Sequence, residues 1–283
     1  MSPREGRVRW LSPAGFHRLA WTEWGPPEGA PVVCVHGLTR TGRDFDALAA
    51  ALAGRGRRVL CPDMPGRGAS DRLPDPSLYR NDIYAGACAH LLAILGEAPA
   101  DWVGTSMGGI IGMMLAAMPN TPIRRLVVND VGPFIPAASL ARIGAYLGQV
   151  WRFTDLAAAE AHTRKAYAPF GTLTDAQWRH LAETSVRPHP EGGYRLHYDP
   201  AIAEAFRAPA EDIAFWPIWE RITAPTLVLR GEHSDLLLPE TAARMARKPD
   251  VRVQTIAGCG HAPALFDPSQ IDPVAAFLEE GHT

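Results

Sequence analysis

Runs of apolar residues alternate with runs of helical spacing along most of the chain. The stretch 31–37, PVVCVHG, is apolar and ends in a turn, whereas 44–53 places Phe45, Leu48 and Leu52 at helical intervals. Apolar strands separated by helices are typical of a parallel sheet covered on both faces. The pattern therefore predicts an α/β fold. The alternation continues with predicted strands at 57–66, 100–104, 123–130, 224–235 and 251–263 and predicted helices at 80–97, 106–118, 239–247 and 270–280.

Residues 134–217 break this rhythm. They contain no convincing strand pattern but several helix-start signals. Thr174 with Gln177 has the spacing of a capping box, and Asp199 followed by Pro200 has the pattern of an N-cap and a first helical residue. The segment is therefore predicted to be a mainly helical insertion.

A helical insertion between two strands of a parallel sheet is most simply a cap over the carboxyl ends of the strands, where open α/β sheets bind ligands. We accordingly predict a core formed by 1–133 and 218–283 and a helical cap or lid formed by 134–217. Aromatic residues are dense in this predicted cap. Among them, Trp151 and Trp216 are expected to contact the substrate.

Composition and charge exclude several classes of partner. The 283 residues carry a net charge of −2, and the basic clusters are short, so neither a nucleic-acid partner nor an anionic membrane surface is expected. The first residues, MSPREGRVRW, lack the apolar region of a secretory signal, and no run approaches the roughly 18 apolar residues that span a bilayer. A cytoplasmic protein without stable membrane insertion is expected. The four cysteines lack metal-ligand spacing and are interpreted as free thiols, and no pattern predicts an oligomeric state.

The stretch Gly104-Thr105-Ser106-Met107-Gly108 has the pattern G-x-S-x-G. It lies between a predicted strand and a predicted helix, which is the context that this pattern needs to form a nucleophile elbow. Side chains at Gly104 and Gly108 would collide in so sharp a turn. Ser106 is therefore the candidate nucleophile, exposed above the sheet at the start of a helix.

A serine needs a base, and the base needs an orienting group. His261 follows the last predicted strand in a glycine-rich loop and can reach the same edge of the sheet as Ser106. For the orienting acid we favour Asp235, which lies just past the strand within 224–235. Asp130 also follows a strand end and remains the alternative.

Acyl transfer further requires hydrogen-bond donors for the developing oxyanion. The backbone N–H of Met107, directly after the nucleophile, is one expected donor. Gly37 lets the chain turn after the strand at 31–37, so the backbone N–H of Leu38 is expected to be the other. Gly37 and Met107 are also expected to contact the substrate.

Two titratable residues near these motifs are interpreted as structural. His36 precedes the turn at Gly37 and is expected to form hydrogen bonds that hold the loop. Asp63 begins the stretch DMPGRGAS and is expected to accept hydrogen bonds from backbone N–H groups of that turn.

Taken in order, these motifs resemble the α/β-hydrolase superfamily over essentially the whole chain. The resemblance implies an eight-stranded, mostly parallel sheet with helices on both faces and a helical cap inserted after strand six. It also implies Ser106 as nucleophile, Asp235 as acid, His261 as base, and Leu38 and Met107 as oxyanion donors. No cofactor and no metal are expected. A serine at the elbow argues against the dehalogenase branch, which has an aspartate there. The motifs are His36-Gly37, Asp63-x-Pro65-Gly66-x-Gly68-x-Ser70, Gly104-x-Ser106-x-Gly108, Gly231-x-x-Ser234-Asp235 and Gly260-His261.

The predicted function is that of a serine hydrolase, of the carboxylesterase type, acting on a mainly apolar, small to medium carboxylic ester. The same machinery also cleaves carbon–carbon bonds next to carbonyls, thioesters and lactones, so these remain alternatives. A ligand receptor that keeps the fold without turnover is a further alternative, disfavoured by the complete set of catalytic residues.

Overall fold

A computed structural model describes residues 2–280 of the chain. The chain begins with an antiparallel hairpin, in which Arg4 pairs with Glu23 and Ser12 with Gly15. Strands and helices then alternate, as the hydrophobic pattern predicts. The strands are β1 (Arg4–Ser12), β2 (Gly15–Trp24), β3 (Pro31–Val35), β4 (Arg58–Asp63), β5 (Ala100–Thr105) and β6 (Ile123–Asn129), and the helices are α1 (Asp46–Gly54), α2 (Asn81–Ala93) and α3 (Met107–Ala116).

The insertion after β6 contains helices and, unlike the prediction, five very short strands among the described residues. These strands form one sheet of three and one sheet of two. Each is only two or three residues long, which is too short to produce a recognisable alternation in the sequence. The elements are β7 (Phe134–Ile135), α4 (Ala137–Tyr146), β8 (Arg152–Phe153), α5 (Leu156–Ala166), α6 (Asp175–Glu183), β9 (Val186–Pro188), β10 (Tyr194–Leu196), β11 (Ile213–Ala214) and α7 (Trp216–Arg221).

The helix-start signals in the insertion lie where the sequence predicts them. Thr174 and Gln177 form a complete capping box at α6, with the Thr174 N–H donating to Gln177 Oε1 at 2.8 Å and the Gln177 N–H donating to Thr174 Oγ1 at 3.3 Å. The Asp199 side chain accepts from the Ala201 N–H, although the helix that it caps is a 3₁₀ helix, Pro200–Phe206. Local capping chemistry therefore determines these starts.

After the insertion the chain returns to the main sheet. The last elements are β12 (Thr226–Gly231), α8 (Pro239–Met245), β13 (Val251–Ile256) and α9 (Pro268–Glu279). The strand order is β1-β2-β4-β3-β5-β6-β12-β13. Pairing is antiparallel for β1 with β2 and for β2 with β4, and parallel for the rest. The predicted eight-stranded, mostly parallel sheet is thus confirmed.

The two faces of the sheet bury separate hydrophobic clusters. In β3, Val33 and Val35 belong to one cluster, whereas Val32 and Cys34 belong to the other. Successive side chains of a strand point to opposite faces, so a fully apolar β3 requires cover on both sides.

All four cysteines are buried free thiols. Within residues 2–280 no helix combines the length and the apolar character needed to cross a membrane.

The carboxyl ends of the central strands bring the predicted site residues to one edge. Neighbouring strands β3, β5, β6 and β12 run parallel, so the loops that follow them all emerge on the same side. These loops carry residues that lie far apart in the sequence. The site is therefore assembled by the sheet topology.

Candidate active site

Ser106 lies between the end of β5 and the first residue of α3. Its backbone has φ 52° and ψ −114°, a conformation that costs energy in a residue other than glycine. The Ser106 N–H donates to the Asn129 carbonyl at 2.9 Å, and the Ser106 carbonyl accepts from the Ile110 N–H at 3.1 Å. These bonds hold the strained turn between β5 and β6 on one side and α3 on the other.

The two elbow glycines are required because backbone passes close to them. A Cβ atom on Gly104 would lie 2.2 Å from the Gly108 carbonyl oxygen, and one on Gly108 would lie 1.9 Å from the Val35 carbonyl oxygen. Both distances are far below contact distance, and both involve backbone that cannot rotate away. A Cβ at Gly104 would thus collide within the turn, as predicted, whereas a Cβ at Gly108 would collide with the neighbouring strand β3.

His261 is within hydrogen-bonding distance of Ser106. Its Nε2 atom lies 3.0 Å from Ser106 Oγ, although 155 positions separate the residues in the chain. The loop after β13 is held against the insertion, where the Gly260 N–H donates to the Pro169 carbonyl at 2.7 Å. The His261 side chain is 16% exposed. This geometry allows His261 to accept the Ser106 proton.

The acid next to His261 is Asp130, the residue after β6. Asp130 Oδ2 lies 2.8 Å from His261 Nδ1 and accepts from the Ser234 hydroxyl at 2.7 Å and the Ala262 N–H at 3.2 Å. Its Oδ1 accepts from the Gly231 N–H at 2.7 Å. The side chain is fully buried, and donors therefore satisfy both of its oxygens.

Asp235, which the sequence analysis favours as this acid, is placed elsewhere, and that assignment is corrected. Its carboxylate is 50% exposed and forms a bidentate pair with Arg142 of α4, at 2.6 and 2.9 Å. Because β6 and β12 are neighbours, either loop could supply the acid. The β12 loop uses its Gly231 N–H and Ser234 hydroxyl to bind Asp130, and Asp235 turns towards the insertion instead.

The expected oxyanion donors flank Ser106. Met107 is the first residue of α3, where backbone N–H groups point away from the helix, and Leu38 lies in the loop after β3. Leu38 and Met107 both line a cavity that Ser106 also lines. Their role as oxyanion donors stays a prediction.

Two buried polar residues that the sequence analysis did not single out hold these loops together. Arg67 donates through Nε to the Leu38 carbonyl at 2.8 Å and through Nη1 to the Tyr84 hydroxyl at 2.7 Å. Asn129 donates through Nδ2 to Thr105 Oγ1 at 3.0 Å and to the Pro263 carbonyl at 2.9 Å. The signal for Asn129 is a polar residue at the end of an apolar strand.

The structural interpretation of His36 fits the contacts. His36 Nδ1 lies 2.6 Å from the Gly37 carbonyl oxygen, and its Nε2 accepts from the Met64 N–H at 2.9 Å. Burial lowers the pKa of His36 to about 3, so the ring is neutral.

Asp63 likewise holds its turn. Its two oxygens accept from the N–H groups of Gly42 and Ala69 at 2.9 and 2.8 Å, respectively. Burial raises the pKa of Asp63 to about 6, because desolvation outweighs these two hydrogen bonds.

Two cavities meet at Ser106. The smaller has a volume of about 90 Å³ and is lined by Gly37, His261 and several polar side chains. The larger has a volume of about 930 Å³ and is lined mainly by apolar side chains, with Met107 among them. Leu38, Ile143 and Ser106 line both. Gly37 and Met107 are therefore placed where substrate contact is expected.

Trp151 and Trp216, the two expected cap contacts, line neither cavity. The Trp151 ring packs against His162 with centroids 4.4 Å apart, and the Arg244 guanidinium lies 3.6 Å over the Trp216 ring. The expectation of substrate contact is thus not met by this arrangement. Aromatic density in the sequence reports packing as readily as binding.

Fold and site together define a class: a parallel α/β sheet with a nucleophile elbow, a histidine after the last strand and a buried carboxylate that contacts it. A family model described as alpha/beta hydrolase fold matches residues 30–268. The chain belongs to the α/β-hydrolase family.

Similar proteins extend over nearly the full length. The chain is 46% identical over 281 residues to a 3-hydroxybutyrate-oligomer hydrolase from Cupriavidus necator, covering 95% of this chain and 96% of that protein. It is 29% identical to a 2-(acetamidomethylene)succinate hydrolase from Mesorhizobium japonicum, covering 82% of each. Among solved structures, an alpha/beta hydrolase from Novosphingobium aromaticivorans matches with a TM-score of 0.88, 37% identity and 99% coverage of both chains. These relatives are hydrolases, in agreement with the predicted class.

Proposed function

We propose that the chain is a serine hydrolase that cleaves a carboxylic ester through an acyl-enzyme on Ser106. The observation that carries the proposal is the continuous set of contacts from Ser106 Oγ to His261 Nε2 and from His261 Nδ1 to Asp130 Oδ2. A nucleophile, a base and an orienting acid at hydrogen-bonding distances form the arrangement that acyl transfer needs.

In the first step Ser106 Oγ attacks the ester carbonyl while His261 Nε2 takes the hydroxyl proton. Asp130 accepts a hydrogen bond from the Nδ1–H group of His261, which fixes the tautomer with a free Nε2 lone pair and stabilises the imidazolium that forms. Because Asp130 is buried and bound by three further donors, its position is fixed before substrate arrives.

The tetrahedral oxyanion is proposed to sit on the backbone N–H groups of Leu38 and Met107. One such donor contributes about 3–4 kcal/mol in comparable hydrolases. His261 then protonates the leaving alcohol, and the ester C–O bond breaks. Water, activated by His261, attacks the acyl-enzyme and releases the acid. This mechanism needs no cofactor.

For the substrate we propose an ester of a mainly apolar, small to medium acid, and specifically a short oligomer of a hydroxyalkanoic acid. Two observations support this: the larger cavity is mainly apolar, and the relative from Cupriavidus necator is a 3-hydroxybutyrate-oligomer hydrolase. We also propose that residues 134–217 act as the cap, since their side chains Ile143 and Phe206 line that cavity.

The test is an ester panel on wild-type protein and the Ser106→Ala variant, with fluorophosphonate labelling of both. We expect turnover of short-chain p-nitrophenyl esters and hydroxybutyrate oligomers, and labelling of wild type only. A thioester, a lactone and a vinylogous diketone in the same panel test the related reactions. The proposal would be refuted if wild type is not labelled and Ser106→Ala shows the same labelling and turnover as wild type.

A further inference from the structure

The two cavities that meet at Ser106 differ in which catalytic group lines them. His261 lines only the smaller cavity, whereas Met107 lines only the larger. The inference drawn from this rests on the proposed ester hydrolysis. Because a leaving alkoxide must take its proton from His261, the leaving alcohol has to occupy the smaller cavity. The acyl part then occupies the larger one.

The cavity for the leaving alcohol and the cavity for the acyl part differ in volume. The leaving-group cavity has about 90 Å³, one-tenth of the roughly 930 Å³ on the acyl side. On this measure one water molecule needs roughly 10–15 Å³, so the smaller cavity has room for several waters and suits a short unit. The acyl side is of the size that accepts whole small-molecule ligands. The geometry favours a short leaving alcohol and a longer acyl chain.

Charge distinguishes the cavities as well. Arg40 and Arg142 line the smaller cavity, against Asp44 as the one carboxylate that lines it among the described residues. The larger cavity is lined by Arg80 together with Glu204 and Glu211. Because Asp235 neutralises Arg142 from outside the cavity lining, the smaller cavity offers guanidinium N–H donors rather than excess positive charge. The two carboxylates of the larger cavity would repel an anion. A carboxylate on the substrate is therefore favoured on the leaving-group side.

Of the two arginines in the smaller cavity, Arg40 already donates its hydrogen bonds to protein groups. It is buried, donates to both oxygens of Asp44 through Nε and Nη2, and donates to the Ser185 hydroxyl through Nη1. Its guanidinium also stacks over the Tyr167 ring, 4.5 Å from the centroid. Arg40 consequently serves as part of the cavity wall.

Arg142, in contrast, can bind a substrate carboxylate. Its side chain is 44% exposed, and Asp235 engages Nε and Nη2. Within residues 2–280 no protein group accepts from its Nη1. The Asp235 pair fixes the plane of the guanidinium while leaving this edge for a second carboxylate, a geometry that suits arginine rather than lysine.

We propose that Arg142 binds the free carboxylate of the leaving hydroxy acid. The protein then removes single hydroxy acid units from the carboxyl end of an oligoester. In each cycle the Ser106 Oγ–acyl bond forms and the ester C–O bond to the last unit breaks. The proton that His261 took from Ser106 goes to the departing hydroxyl. Water hydrolyses the shortened acyl chain from Ser106.

The first experiment compares a hydroxybutyrate dimer with its methyl ester, which lacks the terminal charge. We expect wild type to favour the free acid in kcat/KM, and the Arg142→Met substitution to lower the acid-to-methyl-ester ratio by about 10- to 100-fold, the range for a charge-assisted contact. Arg142→Lys should restore part of the ratio. The matched control is Arg179→Gln, an arginine of α6 that is 70% exposed and lines neither cavity, with an unchanged ratio.

The second experiment follows a hydroxybutyrate trimer that is deuterated only in its carboxyl-terminal unit. We expect the monomer released first to carry the label. Unlabelled monomer released first, or an acid-to-methyl-ester ratio that Arg142→Met leaves unchanged, would overturn the assignment while ester turnover stands. Absence of turnover with both substrates and with p-nitrophenyl esters would instead refute the proposed function.

Discussion

The assignment of Asp130 as the orienting acid can be tested by replacing it with asparagine. Four donors converge on the Asp130 carboxylate: the N–H groups of Gly231 and Ala262, the Ser234 hydroxyl and His261 Nδ1. An amide has a single oxygen, so in either orientation its NH2 group faces at least one of these donors. When the NH2 group faces His261, the ring must adopt the opposite tautomer and loses the Nε2 lone pair that accepts the Ser106 proton.

The loss of the Nε2 lone pair determines how far kcat should fall in Asp130→Asn. The same change in another serine triad lowers kcat by about 10⁴-fold, and we expect a loss of about 10³- to 10⁴-fold here. This corresponds to about 4–5.5 kcal/mol of transition-state stabilisation. The buried donor left facing the amide should cost about 1–3 kcal/mol of folding free energy. For a chain of this length each kcal/mol lowers Tm by roughly 2–4 °C, so the variant should remain folded at an assay temperature of 25 °C.

The assay measures kcat on a neutral p-nitrophenyl ester for wild type, Asp130→Asn and Asp235→Asn, with Tm recorded for each. Asp235→Asn should lose at most about tenfold, since Asp235 pairs with Arg142 and contacts neither Ser106 nor His261. The reasoning is wrong if Asp235→Asn loses 10³-fold and Asp130→Asn, folded at the same temperature, does not. That outcome would return the acid role to Asp235.

Two further predictions concern packing and pH. Gly108→Ala should abolish activity and lower Tm, because its Cβ would lie 1.9 Å from the Val35 carbonyl oxygen. Gly86→Ala, at a helical position with open space, should keep activity and leave Tm unchanged or raise it by up to about 4 °C, which corresponds to about 1 kcal/mol of added stability. Equal effects of the two substitutions would contradict the elbow geometry. His180 Nε2 donates a hydrogen bond to the Asp46 carboxylate, which raises the pKa of His180, so this pair should stabilise the fold below pH about 6.5 and lose that contribution as pH rises through the raised pKa. The Tm difference between wild type and His180→Gln should therefore be larger at pH 5.5 than at pH 8.5, and a difference independent of pH would argue against a charged pair.

Several parts of this protein could be derived from the sequence because they depend on local stereochemistry. The need for glycine at Gly104 follows from the space within a sharp strand-to-helix turn, where a Cβ would meet the Gly108 carbonyl oxygen. The capping box at Thr174 and Gln177 follows from hydrogen bonds that span one helical turn. Fully apolar strands such as β3 indicate burial on both sheet faces, which requires the parallel α/β arrangement.

The tertiary structure decided what depends on side-chain direction at the sheet edge. Asp130 and Asp235 both follow strands that end beside each other, and no local pattern tells which carboxylate turns inward. The fold decides it through the Gly231 N–H and the Ser234 hydroxyl, which lie 101 and 104 positions from Asp130 in the chain. Burying a carboxylate without such donors would cost too much free energy. The buried acid is therefore Asp130, the carboxylate to which Gly231 and Ser234 donate hydrogen bonds.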